Sequence, residues 1–275
     1  MSDTTIPIRR PPAAADASRP KEQPRYPTDT VALPTKGWYY PETSPLTSGD
    51  VEIKQMTARE EDIMANQELI RKGTVLDKLL QSMLINKEID VGELLVPDKN
   101  AILMAIRRFA YGDKYPVHIT CPNCNHRSRV DIDLSAVQER LVPETGAPRF
   151  TNSFPFTLPK SKVSITYKLL NQRDDDKIEK ELAGLKKINK EGSGELTTRM
   201  KYIITSVNGD DSAETIRNFV DEQLLAADSR ALREHIRANT PDLDMSFDFA
   251  CESCNLERRL DIPVGASFLW PDLET

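Results

Sequence analysis

The chain holds four cysteines, and all of them fall in two C-x2-C pairs: Cys121-Pro-Asn-Cys124 and Cys251-Glu-Ser-Cys254. Two cysteines three apart in a tight turn can aim both sulfurs at one ion, and a tetrahedral structural zinc takes two such pairs. A closed four-thiolate site keeps no open coordination position, so it acts as a staple and not as a catalyst. The flanks of the pairs also repeat. Val-His-Ile-Thr precedes Cys121 and Phe-Asp-Phe-Ala precedes Cys251; Asn125 and Asn255 follow, and each stretch closes on Asp-Ile. Residues 117–132 and 247–262 therefore read as β-hairpins of the zinc-knuckle kind, the two halves of one split zinc ribbon. The residue after the second cysteine tends to left-handed backbone angles, which Asn tolerates better than most. Four thiolates around one divalent cation leave a negative centre, which Arg127, Arg129, Arg258 and Arg259 in the same hairpins can offset.

Other chemistry fits these cysteines less well. Two disulfides fit poorly, because the sequence lacks the apolar core of a signal peptide. A redox C-x-x-C would open a helix, whereas these pairs lie between strand-like runs. Ligand type alone leaves iron in place of zinc open. His126 follows the first pair closely enough to serve as a substitute ligand, although four cysteines already suffice. Of the other two histidines, His118 alternates within a strand and His235 lies in a polar helix. No nucleophile–base pair, phosphate-binding glycine loop or H-E-x-x-H stands in the chain, and no enzyme is expected.

The elements that must position the hairpins fit an α+β chain of one or two domains, 275 residues long with 29% charged side chains. A formal charge of −6 argues against an extended nucleic-acid surface, and no apolar run reaches membrane-spanning length. Residues 1–36 carry seven of the 19 prolines and few large apolar side chains, and read as an extended or disordered arm. Residues 37–116 read as a strand plus a helical segment. Trp38, Tyr39 and Tyr40 gather there as a candidate docking patch. Val51, Ile53 and Met56 mark the strand, and Thr57 with Glu60 forms a capping box that opens a helix running to Gly73. Val75, Leu76, Leu79, Leu80, Met83 and Leu84 make the stripe of the next helix. Asp98 is expected to cap a third over residues 99–111, with Ile102, Leu103, Ile106 and Phe109 on one face. Glu60, Glu61, Asp62, Arg107 and Arg108 read as solvated.

The first knuckle, residues 117–132, is followed by an α/β insert over residues 133–246. Residues 150–158 and 163–170 read as its strands. Asp174, Asp175 and Asp176 open a helix whose acidic start and basic end suit the helix dipole; adjacent residues diverge on a helix, which argues against a metal there. Helices are expected over 195–207, 212–224 and 229–238, the last capped by Asp228 and Ser229. The second knuckle, residues 247–264, closes the insert. An apolar tail over 265–275 follows, with Phe268, Leu269 and Trp270 either sealing the core or docking on a neighbour.

Several stretches taken in order resemble the baseplate hub proteins of contractile-tailed bacteriophages of the T-even type. They are Ala32-Leu-Pro-Thr-Lys-Gly37-Trp-Tyr-Tyr-Pro41, then Gly49-Asp-Val-Glu-Ile-Lys-Gln-Met56-Thr-Ala-Arg-Glu60-Glu-Asp-Ile63. Next come Leu69-Ile-Arg-Lys-Gly73-Thr-Val-Leu-Asp77-Lys-Leu-Leu80 and Leu94-Leu-Val-Pro-Asp98-Lys-Asn-Ala-Ile-Leu-Met-Ala-Ile-Arg107. The first C-x2-C and Ala227-Asp-Ser-Arg-Ala-Leu-Arg233 follow. The likeness covers most of residues 32–254, is most specific over 49–107, and leaves the arm outside it. Pro97 stands where a Gly is expected, so the turn before Asp98 is expected to differ. The resemblance implies a non-enzymatic structural protein of the virion's tail baseplate, assembled in the host cytoplasm and contacting hub, wedge and tail-tube initiation proteins. Two rivals are an assembly chaperone that leaves the mature particle and a zinc-ribbon nucleic-acid binder. The second lacks aromatics interleaved with the hairpin arginines.

Overall fold

The computed structural model describes residues 27–140, 149–188, 194–264 and 266–269. Its first element corrects the expected arm. Thr28–Ala32 form β1, antiparallel to β2, Asp50–Lys54, with Val31 opposite Val51. Val31, Leu33 and Thr35 are buried, because two apolar side chains at alternate positions suffice to dock a short strand despite the prolines around it. The rest of the arm, residues 1–26, lies outside the described residues. Gly37 is obligatory in the connection: at φ +72°, a Cβ there would lie 2.6 Å from the Leu46 carbonyl oxygen.

The helical segment breaks where one helix was expected. α1, Ala58–Ala65, starts at the Thr57–Glu60 box, and Asn66 then ends it and caps α2, Gln67–Lys72. The Asn66 side chain accepts from the Glu68 and Leu69 N–H groups, and Gly73 (φ +70°) stops α2. α3, Val75–Met83, buries Val75, Leu79, Leu80 and Met83. α4, Val96–Tyr111, begins three residues earlier than expected, with Pro97 in its first turn, where a missing N–H costs nothing. Ile102, Leu103 and Ile106 face the core, but Phe109 is 44% exposed and falls off that face.

Three polar expectations are corrected here. Asp98 does not cap α4; it is buried and accepts from the Thr35 N–H (3.1 Å), the Thr35 hydroxyl (2.6 Å) and the Tyr40 hydroxyl (2.6 Å). Glu60 is fully buried, holding Lys54 Nζ, the Thr57 N–H and hydroxyl, and the Ser82 hydroxyl. Arg107 is buried as well, its guanidinium 5.0 and 5.7 Å from the Tyr111 and Tyr115 rings and donating to the Lys114 carbonyl. Asp98 and Glu60 tie their elements to stretches far along the chain, and Arg107 ties the end of α4 to the strand just after it; helical periodicity reveals none of these.

β3, Lys114–Thr120, and β4, Arg127–Asp133, form the first hairpin. β5, Glu139–Arg140, then opens the insert. β6, Phe154–Thr157, and β7, Ser164–Tyr167, precede α5, Gln172–Ile188, and α6, Glu195–Ile203. The helix expected to reach residue 207 stops at 203: Ile204–Val207 are β8, which completes a sheet in the order β6-β7-β8. Ile-Thr-Ser-Val suits a pleated, half-buried surface, and pairing with β7 overrides the helical continuation. α7, Ala213–Asn218, runs into a wider turn over Phe219–Gln223, and α8 spans Ala226–Asn239. Asp228 and Ser229 lie inside α8 rather than capping it from 229. The Asp228 carboxylate accepts from the Lys160 and Ser161 N–H groups at 2.7 and 2.9 Å.

β9, Asp242–Leu243, pairs with β5; β10, Ser246–Ala250, and β11, Glu257–Asp261, make the second hairpin; α9, Ala266–Leu269, follows. One hydrophobic core runs from Val31 through α3, α4 and the β6-β7-β8 sheet to Leu269. Tyr39 meets Phe154 edge-on at 5.2 Å, and Phe154 stacks on Tyr167 at 5.2 Å. Backbone bonds from Val96 N–H to Leu170 O (3.0 Å) and from Gln172 N–H to Leu94 O (2.9 Å) stitch the insert to the start of α4. A second, small cluster lies beneath the cysteines and includes Phe249.

Candidate metal centre

Both hairpin turns are built alike. The Cys121 N–H donates to His126 O (2.8 Å) and the Asn125 N–H to Cys121 O (3.0 Å); the Cys251 N–H donates to Leu256 O (2.9 Å) and the Asn255 N–H to Cys251 O (2.9 Å). Asn125 and Asn255 take φ of +58° and +55°, the left-handed angles expected of them. Each turn presents its two cysteines at the end of a two-stranded ribbon, not at a helix start.

The turns meet. The four Sγ atoms lie within 4.8 Å of one another, with Cys121 to Cys254 and Cys124 to Cys251 each 3.7 Å apart. A tetrahedral ion with bonds of about 2.3 Å to sulfur would hold its ligands about 3.8 Å apart, whereas a disulfide needs about 2.05 Å. All four are free thiols. Four soft donors at tetrahedral separation fit a structural metal ion. Cys121 and Cys251 are buried over Phe249, Ile119, Val130 and Phe247, while Cys124 faces solvent and Cys254 is half-buried.

The electrostatics of the bare thiols explain why a cation suits the site. Cys254 is held down to about 6, first by the Asn123 side-chain amide 3.6 Å from its sulfur and then by the Leu256 N–H. Cys121 is lowered, chiefly by the Cys124 N–H. For Cys124 the His126 N–H favours the thiolate, but desolvation and its hydrogen bonds to the other three sulfurs outweigh that and push it up to about 11. Neighbouring thiols thus share protons, and only a positive ion at the centre lets all four ionise together. Asn123 is the contributor that sequence reading misses. Its position between the cysteines is the sole hint, since its amide reaches across to the other hairpin. Of the four arginines, Arg259 is taken up by Asp244 (2.6 Å) and Ser246 (2.5 Å).

The remaining candidates fall elsewhere. Tyr39, Tyr40, Phe268 and Leu269 are buried, so their apolar surface is occupied within the chain and seals its own core. Phe268 meets the Tyr115 ring edge-on at 5.1 Å. Trp38 is half-buried beneath Lys36 and Arg149, 5.4 and 5.3 Å from its ring; Trp270 lies outside the described residues. The three aspartates of α5 diverge as expected: Asp174 pairs with Lys168, Asp175 with Lys99 and Arg199, and Asp176 accepts from Gln172. Among the described residues the cysteines alone form a metal-ligating group, and no helix is long and apolar enough to cross a membrane.

Fold and cluster together define an α+β protein in which two distant hairpins converge on four thiols. A family model described as T4 bacteriophage base plate protein matches residues 39–270, and the chain belongs to that family. It is a structural component of a phage tail baseplate, located in the virion and in contact with other baseplate proteins. No curated protein and no solved structure matches it.

Proposed function

We propose that the chain is a non-enzymatic component of the hub, or inner baseplate, held together by one structural zinc ion on Cys121, Cys124, Cys251 and Cys254. The observation that carries the metal is the set of 3.7 Å sulfur separations between the two hairpins. Tetrahedral thiolates with no open position suit zinc as a staple. The hub placement rests on the ordered resemblance over residues 32–254, and the partners it implies are hub, wedge and tube-initiation proteins, met as the tail assembles in the host cytoplasm. The lone surface aromatic of the Trp38 group, flanked by two cations, remains available to such a neighbour.

A protein inventory of purified tails, with metal analysis of the recombinant chain, tests both halves. Stoichiometric presence in tails with one zinc per chain is the expected result. Presence in assembly intermediates alone would make the chain a chaperone, and a metal-free chain with intact stability would remove the zinc.

A further inference from the structure

The Asn123 side chain crosses from one hairpin to the other. It stands in the first turn, between Cys121 and Cys124, yet its amide nitrogen lies 3.6 Å from the Cys254 sulfur of the second turn. Its backbone N–H donates to the Cys121 sulfur of its own turn at 3.5 Å. One residue therefore serves one sulfur from each hairpin. Those two sulfurs are themselves neighbours, 3.7 Å apart.

The crossing bond falls on the ligand that most needs it in the second hairpin. Cys251 is buried in the small apolar cluster with Phe249, so close packing sets its position. Cys254 is half-buried and held less by packing. Its own hairpin gives it the Leu256 N–H, and Asn123 adds a donor from the opposite side. The two turns differ in this respect. In the second turn the place of Asn123 is taken by Ser253, an exposed residue with a shorter side chain. The matched backbones of the knuckles are thus joined by a side chain that one of them alone supplies.

We propose that Asn123 is a positioning residue of the metal centre: its amide holds the Cys254 sulfur of the far hairpin in place for the ion. The proposal rests on the metal reading of the four cysteines. A group that orients a ligand without touching the ion tunes affinity through that ligand. Asn123 faces solvent, so its bond to a neutral thiol adds little to folding. With the sulfur ionised on a metal, the same bond becomes charge-assisted and stronger. Its effect therefore belongs to metal binding and not to the stability of the metal-free chain.

Titration of the full, metal-free chain with Co2+, followed by sulfur-to-metal charge-transfer absorption, reads the affinity. Asn123→Ala and Asn123→Asp are compared with the native chain, and Ser253→Ala is the control. Asp is nearly the shape of Asn but has no donor and sets a negative charge beside the thiolates. The expected result is Co2+ affinity about tenfold lower in Asn123→Ala, lower again in Asn123→Asp and unchanged in Ser253→Ala. The urea midpoint of the metal-free chain is expected to be the same throughout. Native affinity in both Asn123 variants would overturn the proposal and leave the metal centre standing. An equal loss in Ser253→Ala, or a metal-free midpoint that falls along with the affinity, would overturn it by giving Asn123 a merely structural part. A native chain that shows no charge-transfer band would remove the metal reading itself, and the proposal with it.

Discussion

Glu60 shows how one carboxylate can govern acid stability. Burial pushes its pKa up, but the Lys54 ammonium, the Ser82 hydroxyl and both Thr57 donors together outweigh burial and hold it at about 2, against an ordinary 4.5. A depressed folded pKa means stability that is fully present above the unfolded value and is lost as pH falls through the folded one. The native chain is therefore expected to lose on the order of 2–3 kcal/mol between about pH 4.5 and 2 through this group. Denaturant unfolding at stepped pH, compared with Glu60→Gln, checks it; parallel profiles for the two would refute the assignment. The knuckle asparagines give a second test at this scale. At φ +58° an L side chain with a branched Cβ costs about 1–2 kcal/mol, so Asn125→Val is expected to destabilise by that amount and Asn125→Gly to be nearly neutral. Urea midpoints of the two variants decide between a backbone role and a side-chain role for Asn125.

Among the elements, the junction of α1 and α2 separates what a local pattern can announce from what it cannot. The Asn66 side chain satisfies two N–H groups of α2 at 3.0 and 3.2 Å. Asn66→Ala is expected to cost about 1 kcal/mol, and Asn66→Asp to retain most of it, by thermal unfolding. A cost near zero would mean that the break is imposed by packing rather than by the cap. Local chemistry made the Thr57–Glu60 box, the Gly73 stop, the α3 stripe and both cysteine-bearing hairpin turns legible, because each depends on residues within a few positions of one another. The same holds for Asn125 and Asn255. The short strands β1 and β8 were hidden, since each is specified by a partner strand far along the chain, Asp50–Lys54 for β1 and Ser164–Tyr167 for β8. Asp98 and Asp228 escape a local reading for the same reason, and Arg107 because its partners lie at and just past the end of its helix. The partners of Asp98 and Asp228, at Thr35 and Lys160, are supplied by the fold, whereas a helix-cap rule reads only neighbours in sequence; a solvated-face reading of Arg107 likewise misses Tyr111, Lys114 and Tyr115.

At the scale of the whole molecule, the cysteine cluster would become a long-range cross-link once the proposed metal is bound. Cys124 and Cys251 are 127 residues apart and their sulfurs 3.7 Å apart, so a metal there closes nearly half the chain into one loop. Small zinc modules unfold outright without their ion because they have little else. This chain differs: its main core contains none of the four cysteines, and the insert is stitched to α4 by backbone bonds of its own. Metal removal is therefore expected to leave the helices and the β6-β7-β8 sheet folded while lowering stability. The chain-entropy treatment of a cross-link over a loop of this size gives about 5 kcal/mol, with the entropy term growing as the logarithm of loop length. Far-UV circular dichroism and urea unfolding, with and without chelator, measure the two halves of that expectation, and Cys124→Ser should reproduce the chelated state. Complete loss of helical signal on chelation would show that the core depends on the ribbon. An unchanged midpoint would show that the ribbon closes nothing. The expected middle result is a staple that secures an already folded body, and its consequence is mechanical: hairpins that enter and leave the insert stay joined when neighbours in the baseplate pull on either side of it.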